Sequence, residues 1–546
     1  MERSEVYRIN NEIGQCASRK DAIHAAQLFQ TLIEAKSANN YSFSNMINVY
    51  VMCGDYSRAE EVFNQLRLTK GLSLDIVSCT SLLKAYSKVG NITASQKLLK
   101  EMEASKPSVI PNVRTLNTFL RGCIVAGAVD EASQTLTHLI KLYKVTPDVS
   151  SWEAIVMLNS QALRVDHLHP ILGRIKSDAT MLSGLGLMYI CLARSCAILM
   201  DTKGCRKALD QAVLYLEKTE ALERAGGGLE GKDEMEGKRK AVTGGKKGWK
   251  ESESNNSREQ SLLIYQSHRS SELRREVELI KKYVELRVNH AMAAEAALPL
   301  FYKTFSFPSG FVPLQIDDTV DGIIAARNIK FGFERFNRLL LSRDRSLKEE
   351  SAKPQQSRKS GDQKRKQSSL PAAEDRVSLA MKAHMHSCFA SSFPLIDFGV
   401  LFGNTGAVKL EVGAGAGEWA VAQAAADLSS NYITMELRHD RVYETFTKAL
   451  LREKLLTNIC TMGGNALEIL PNFFPPHSID HVFVNFPEPP QQTASDLTSQ
   501  SNHLLNHVNN IFQRDTVLSL TPLLLEFLRG SFENNKSWRI SNYPHR

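Results

Sequence analysis

The run Val408-Lys409-Leu410-Glu411-Val412 leads directly into Gly413-x-Gly415-x-Gly417, and the next apolar run, 432–436, ends on Glu436. Glycines let the backbone turn tightly and approach a ligand with no Cβ in the way, while a carboxylate at the tip of the neighbouring strand can accept hydrogen bonds from ribose hydroxyls. Together these residues describe a seat for a nucleoside-bearing cofactor. Any tight strand-to-helix turn could also use three glycines, so the reading depends on the residues downstream of them. Two further β-type runs lie there: 458–462 leads to Asn465-Ala466, and 481–486 runs into Asn485-Phe486-Pro487-Glu488-Pro489. Helical stretches at 419–428 and 441–454 separate the runs. Alternating strand and helix predicts a parallel sheet covered on both faces, with ligands beyond the carboxyl ends of its strands. Glu411 to Gly417, Glu436, Asn465 and Glu488 all fall at such ends.

The elements that must position these residues occupy the last third of a chain of 546 residues, long enough for three or four structural units. A hydrophobic content of 43% with 23% charged residues is that of an ordinary globular protein. No run of about 18 uninterrupted apolar residues predicts a membrane span. The formal charge of +8 permits a polyanionic partner without requiring one. The start lacks an apolar signal core and carries Glu2, Glu5 and Glu12, which fits neither a secretory signal nor an acid-poor transit peptide. A cytoplasmic or nuclear location is expected, with an organelle such as the mitochondrion as the alternative. The nine cysteines read as reduced core residues. Cys191, Cys196 and Cys205 lack the second pair that a zinc site needs, so no metal is expected.

An internal repeat fills the first third. Setting Gly54, Gly90 and Gly127 in register gives units starting at Val6, Asn40, Ile76 and Val113, the fourth ending at Asp148. Ile13, Ile47, Leu83 and Leu120 share one column; Cys16, Tyr50, Tyr86 and Cys123 a second; Ala25, Ala59, Ser95 and Ala132 a third; Phe29, Phe63, Leu99 and Leu136 a fourth. Each unit reads as helix, turn, helix, and stacking such units gives a solenoid. A fifth, worn unit begins at Val149, with Asn159 in place of the tyrosine and Leu163 in place of the glycine, so the array is expected to end there. The domain reading is therefore 1–224 helical repeats, 225–260 a glycine-, lysine- and glutamate-rich flexible linker, 261–342 a helical region with no assignable chemistry, 343–375 a polar linker, and 376–546 the catalytic candidate. Lys364-Arg365-Lys366 reads as solvated linker, or as a nuclear-import or RNA-tethering patch.

The repeat wording, in lines such as Ile76-Val77-Ser78-Cys79-Thr80-Ser81-Leu82-Leu83 and Val145-Thr146-Pro147-Asp148, resembles pentatricopeptide repeats. Peptide-binding tetratricopeptide repeats are the competing α-solenoid. The last 170 or so residues resemble the tRNA (guanine-N7-)-methyltransferase family through Leu401-Phe402-Gly403-Asn404, Leu410-Glu411-Val412-Gly413, Glu436-Leu437-Arg438-His439-Asp440-Arg441-Val442, Asn465-Ala466 and Asn485-Phe486-Pro487-Glu488-Pro489. The fold these resemblances imply is an α-solenoid of helical hairpin repeats followed by an α/β Rossmann-like S-adenosylmethionine-dependent methyltransferase domain.

Residue roles follow from the resemblance where residues match. Glu411, Gly413, Gly415 and Gly417 would shape the methionine and ribose seat of S-adenosylmethionine, Glu436 would hold the ribose hydroxyls, and Asn465 and Ala466 would lie against the adenine. Glu488 would orient the target guanine, with Phe486 and Pro487 shaping the wall. In the solenoid, the fifth and last positions of each repeat would face successive bases: Asn10 with Asn39, Ser44 with Asp75, Thr80 with Asn112, and Asn117 with Asp148, read by the family's pairing rules as pyrimidine, G, A, U. The sequence departs from the methyltransferase pattern at Asn465 and Glu488, where aspartate is usual, at Pro490, where tryptophan is usual, and at Gln492, where lysine is usual, and Thr493-Ala494-Ser495-Asp496 replaces a basic run. The sequence stops at Arg546, soon after an expected fifth strand at 538–541, and the domain is expected to be truncated there.

The leading expectation is an RNA-binding enzyme that methylates guanine N7 of tRNA or another RNA with single-stranded segments. The alternative is an RNA-binding solenoid with a degenerate, non-catalytic methyltransferase-like domain. A dinucleotide-dependent oxidoreductase would use the same glycines and Glu436, and Asn485-Phe486-Pro487-Glu488-Pro489 argues against it.

Overall fold

The computed structural model describes residues 1–105, 108–175, 179–199, 201–226, 270–286, 297, 299–308, 310, 315–325, 375–452, 454–484, 512–520 and 539–540. These fall into two compact units, Val165–Val288 and the remainder of the chain before and after it in sequence.

The larger unit begins with nine helices, α1 (Arg3–Arg19), α2 (Ala22–Glu34), α3 (Asn40–Cys53), α4 (Tyr56–Leu68), α5 (Ile76–Lys88), α6 (Ile92–Ala104), α7 (Val113–Ala126), α8 (Val129–Tyr143) and α9 (Val149–Gln161). The unit starts read from the sequence at Asn40, Ile76, Val113 and Val149 are the first residues of α3, α5, α7 and α9. Local chemistry explains the agreement. Asn39, Asp75, Asn112 and Asp148 each cap the following helix, accepting the N–H of Ser42, Ser78, Thr115 and Ser151 at 2.7–3.0 Å, and each such cap is worth about 1 kcal/mol. Gly54, Gly90 and Gly127 turn the chain between helices with φ of 77°, 65° and 69°, a left-handed conformation that suits glycine. The apolar column Ile13, Ile47, Leu83 and Leu120 is fully buried, and so is the small-residue column Ala25, Ala59, Ser95 and Ala132. Tyr86 departs from its column by lying half-buried, its hydroxyl donating to Glu60 Oε1 at 2.9 Å. The odd-numbered helices pack on one another in sequence, forming one layer of the solenoid.

Val165–Val288 is a unit of its own, with α10 (Val165–Arg174), α11 (Ala179–Ile198), α12 (Thr202–Gly226) and a helix over 270–286. Arg274 pairs with Glu220 at 2.8 Å, Arg194 pairs with Glu276, and the rings of Tyr189 and Tyr215 stack at 5.4 Å. Helix α12 runs to Gly226, slightly past the start at 225 that composition gives the flexible linker; the rest of that linker and most of 343–375 lie outside the described residues.

Among the described residues the sheet domain has seven strands, β1 (Thr304–Ser306), β2 (Val408–Val412), β3 (Asn431–Glu436), β4 (Ile459–Gly463), β5 (Ile479–Val484), β6 (Phe512–Leu520) and β7 (Arg539–Ile540), in the order β1-β4-β3-β2-β5-β6-β7, every described pairing parallel. Its helices are α13 (Ile316–Ala325), α14 (Asp375–Ala390), α15 (Phe398–Phe402), α16 (Glu418–Ala426), α17 (His439–Leu450) and α18 (Ala466–Phe473). Burial on both faces, as a parallel sheet requires, is plain in β4, where all five residues are buried. One expectation is corrected here. The sequence reading makes 261–342 helical, yet Thr304–Ser306 is a strand paired with Thr461–Gly463 of β4. Phe305 of this strand and the nearby Phe307, Val320 and Ile323 share a core with Met385, Leu410, Ile433 and Met462. Three residues are too few to show a period of two, and the alternation is lost among helical neighbours. The strand expected at 538–541 appears as β7; β6 has no counterpart in the sequence reading.

Asp148 offers a test of the solenoid's local logic. Partial desolvation opposes its charge, but hydrogen bonds from the Ser151 N–H, the Asn117 amide and the Ser151 hydroxyl outweigh it and hold the carboxyl below its ordinary value. A depressed carboxylate contributes stability that is complete above its unfolded pKa and is lost as pH falls through the folded one. Asp148→Ala should therefore cost about 1–2 kcal/mol near neutral pH, and in thermal unfolding its deficit should shrink as pH falls below about 4.

Candidate cofactor seat and nucleic-acid surface

Strand β2 sits between β3 on one side and β5 on the other, so the connections leaving its two flanks diverge at its carboxyl end. This is the crevice in which open α/β sheets bind ligands. The glycine loop turns there, with φ of 70°, 56° and 73° at Gly413, Gly415 and Gly417. Gly413 N–H and Ala414 N–H donate to Met435 O at 2.9 and 3.2 Å, tying the loop to β3. Gly415 N–H donates to Glu436 Oε2 at 2.9 Å, while Glu436 Oε1 accepts the N–H groups of Leu437 and Arg438 at 2.8 and 3.1 Å. The carboxylate predicted to hold a ribose thus already bridges the loop and the strand end. An ionised oxygen has two acceptor positions, so Oε2 keeps one for a ribose hydroxyl beside its bond to Gly415.

The residues present fit an adenosyl cofactor. A Cβ built on Gly415 meets nothing within 4 Å, so the loop faces open space there. Leu437, next to Glu436, is 61% exposed and offers an apolar face at the strand end. Glu411 is buried in β2, in register with Thr434 of β3 and Phe483 of β5. Gly464 N–H donates to Glu436 O at 2.9 Å and brings the turn after β4 to the same rim. Asn465 and Ala466 begin α18 on that turn; the Asn465 side chain accepts the Leu467 N–H at 3.1 Å and donates to Glu468 Oε1 at 3.0 Å, which makes it a helix cap as well as a rim residue. Phe486, Pro487 and Glu488 lie outside the described residues, as do Pro490 and Gln492.

Sequence reasoning placed a helix over 441–454, seen here as α17, but missed its hold on this loop. Lys448 of α17 donates to Ala416 O at 2.9 Å and pairs with Glu418. Thr445 of α17 presses so close that a Cβ on Gly417 would lie 2.4 Å from its side chain. Neither residue belongs to a motif. Their spacing of three on a helix is the signal available, and it does not say which neighbour the helix meets.

Along the solenoid, the structure brings together some of the couples that the sequence expects to read bases. Asn117 Nδ2 donates to both oxygens of Asp148 at 3.0 Å. Thr80 Oγ1 reaches Thr115 Oγ1 at 3.4 Å, and Thr115 Oγ1 donates to Asn112 Oδ1 at 3.2 Å. Asn10 and Asn39 line one cavity of about 460 Å³ with Arg3, Tyr7 and Tyr41. Ser44 is buried, and Asp75, its predicted companion, accepts from Asn40 Nδ2 at 3.1 Å. Asn10 Oδ1 and Ser44 Oγ are buried with no hydrogen-bond partner among the described residues. A buried unsatisfied acceptor costs about 1–3 kcal/mol, a cost a ligand could relieve. The face also carries positive charge. Burial pushes the Lys84 ammonium below its usual range, and Lys88, Arg114 and Arg121 push it the same way.

All nine cysteines are buried, and burial pushes the Cys79 thiol up to about 12, away from nucleophilic use. Among the described residues, no group of three or more His, Cys, Asp or Glu could hold a metal ion, and no helix is long and apolar enough to cross a membrane. The loop packing carries a prediction of its own. Gly417→Ala should lower stability by roughly 1–3 kcal/mol through overpacking, and Thr445→Ala in the same chain should restore part of the loss in thermal unfolding.

Comparison with known proteins adds two regions. Residues 2–183 match a family model described as the pentacotripeptide-repeat region of PRORP, and residues 405–521 match one described as a putative methyltransferase. An Arabidopsis thaliana pentatricopeptide repeat-containing protein is 29% identical over 26% of this chain and 22% of its own length, and a second, chloroplastic one is 30% identical over 22% of this chain and 14% of its own. A tRNA (guanine-N(7)-)-methyltransferase of Hydrogenovibrio crunogenus is 34% identical over 18% of this chain and 40% of its own length. The chain thus spans less than half of each of these relatives. Among solved structures, the PPR domain of Arabidopsis thaliana protein-only RNase P 1 in complex with tRNA is 16% identical, with 31% of this chain and 91% of that chain covered at a TM-score of 0.27. The polypeptide joins a pentatricopeptide-repeat region to a methyltransferase-family domain.

Proposed function

We propose that this chain is an RNA-directed methyltransferase that moves a methyl group from S-adenosylmethionine to guanine N7 of tRNA. The observation that carries the reading is Glu436 at the carboxyl end of β3, bonded to the N–H of Gly415 in the loop after β2, where a Cβ on Gly415 would meet only open space. The likeness to a guanine-N7 methyltransferase supports the choice of reaction. Bound there, S-adenosylmethionine supplies an electrophilic methyl on a sulfonium. Guanine N7 already presents an unprotonated lone pair, so the protein's task is in-line placement and no general base is needed. Glu488 is proposed to orient the guanine by accepting its N–H groups, with Phe486 and Pro487 as the wall, and Glu411, Gly413, Gly417, Asn465 and Ala466 to complete the seat.

Binding of the RNA is assigned to the solenoid. The unsatisfied Asn10 and Ser44 atoms and the Lys84, Lys88, Arg114 and Arg121 charges support single-stranded RNA as the partner, bases toward the former and phosphates toward the latter. The cytosol or nucleus is the proposed compartment, with an organelle as the alternative that the chloroplastic relative favours. The departures at Asn465, Pro490 and Gln492 favour a second reading, an RNA-binding protein whose methyltransferase fold no longer turns over.

Methyl transfer from labelled S-adenosylmethionine to total tRNA, with mapping of the labelled base, separates the two readings. Glu436→Ala should weaken cofactor binding by about 1.5–3 kcal/mol in calorimetry, through loss of a charged acceptor. Glu488→Ala should slow single-turnover transfer by roughly 10²-fold with cofactor affinity nearly unchanged, because it removes alignment alone. Cofactor binding without transfer to any RNA would establish the non-catalytic reading.

A further inference from the structure

Helix α17 touches both the glycine loop and the solenoid, within the larger unit. On one side it holds the loop, through Thr445 against Gly417 and the Lys448 bond to Ala416 O, and its first residue follows Glu436 after only Leu437 and Arg438. On the other it packs on α7 and meets the end of α9. There the Tyr443 side chain, 1% exposed, donates its O–H to Ser160 O at 3.3 Å. Asn159, Ser160 and Gln161, the polar end of α9, are all buried. The departure of the fifth repeat from the pattern thus coincides with the place where α17 docks.

The two helices that α17 meets are also those that bear the last base-reading couple. Asn117 lies on α7, Asp148 caps α9, and the two side chains are bonded to each other. A base that engages this couple must engage the cap of α9, and Ser160 lies in that helix's last turn. The connection is one rigid helix at each step, from Asp148 along α9 to Ser160, then from Tyr443 along α17 to Thr445 and Lys448. Both ligands would order the same packed pair of helices. The second to bind would find part of that ordering already done, which makes the coupling favourable.

We propose that α17 couples the two sites: single-stranded RNA on the Asn117–Asp148 module raises the affinity of the glycine loop for S-adenosylmethionine, and Tyr443 is the positioning residue that transmits the effect. The inference rests on the function proposed above for each site. Linkage makes it reciprocal, so the cofactor must raise RNA affinity by the same factor.

The test uses the full chain. Calorimetric titration of S-adenosylmethionine is run with and without a saturating single-stranded 12-mer RNA containing UGAU, and the RNA is titrated with and without saturating cofactor. The expected result is a shift of at least about fivefold, equal in the two directions. In Tyr443→Phe, which keeps the ring and removes the hydroxyl, each ligand should bind alone as it does to the unaltered chain, and the shift should shrink. Tyr443→Leu, checked for folding by circular dichroism, should shrink it further. If both ligands bind the unaltered chain and neither changes the other's affinity, the coupling is overturned and the proposed function stands. If the shift persists undiminished in both variants, Tyr443 does not carry it and the assignment is overturned. Absence of cofactor binding with and without RNA overturns the proposed function and the coupling together.

Discussion

Both oxygens of Glu436 accept backbone N–H groups, Oε2 from Gly415 across the gap between β2 and β3, and Oε1 from Leu437 and Arg438 on its own chain. Charge-assisted bonds of this kind are roughly twice as strong as neutral ones. They tie the glycine loop to the strand that ends beside it. Gly413 and Ala414 lean on Met435 O, and Gly464 on Glu436 O, so three strand ends share one rim. The proposed cofactor seat lies at this rim.

A glycine loop held from within would still need backing from behind, and α17 supplies it. Thr445 and Lys448 face the loop, Tyr443 faces the solenoid, and Phe446 packs against Phe301 at 5.0 Å between ring centroids. One helix therefore answers to two neighbours and to the core of the middle segment. Asn159, Ser160 and Gln161, the polar end of the odd fifth repeat, are buried where this helix docks, and the backbone carbonyl of Ser160 accepts the Tyr443 hydroxyl.

In the solenoid, residues that the repeat resemblance assigns to base reading also start helices. Asn39, Asp75, Asn112 and Asp148 each accept a helix N–H and the hydroxyl of the same capped serine or threonine, and Asp75 and Asp148 also accept from Asn40 and Asn117. The base reading proposed for them would draw on the same side chains as folding, so a change at these positions would alter both. Asn10 and Ser44 differ, being buried with an unsatisfied polar atom each.

Much of this was legible from residues alone. Helix starts at Asn40, Ile76, Val113 and Val149 could be read because caps and left-handed glycines act within a few residues of where they stand. Strands β2 to β5 could be read because alternation of apolar runs with helical stretches is local too, and Glu436 and the glycines lie within that pattern. Strand β1 could not be read, since three residues between helical neighbours owe their conformation to pairing with β4, distant in the chain. The closeness of Gly417 to Thr445, the bond from Lys448 to Ala416, and the contact of Tyr443 with Ser160 were also out of reach. Each is a meeting of surfaces remote in sequence, and periodicity names the face of a helix without naming what that face will touch. The sequence by itself determined the two kinds of unit and the glycine loop and Glu436 that meet at the carboxyl ends of β2 and β3. Tertiary packing alone decided that one helix, α17, would stand between them, because burial of its several faces is satisfied only when both partners are already folded.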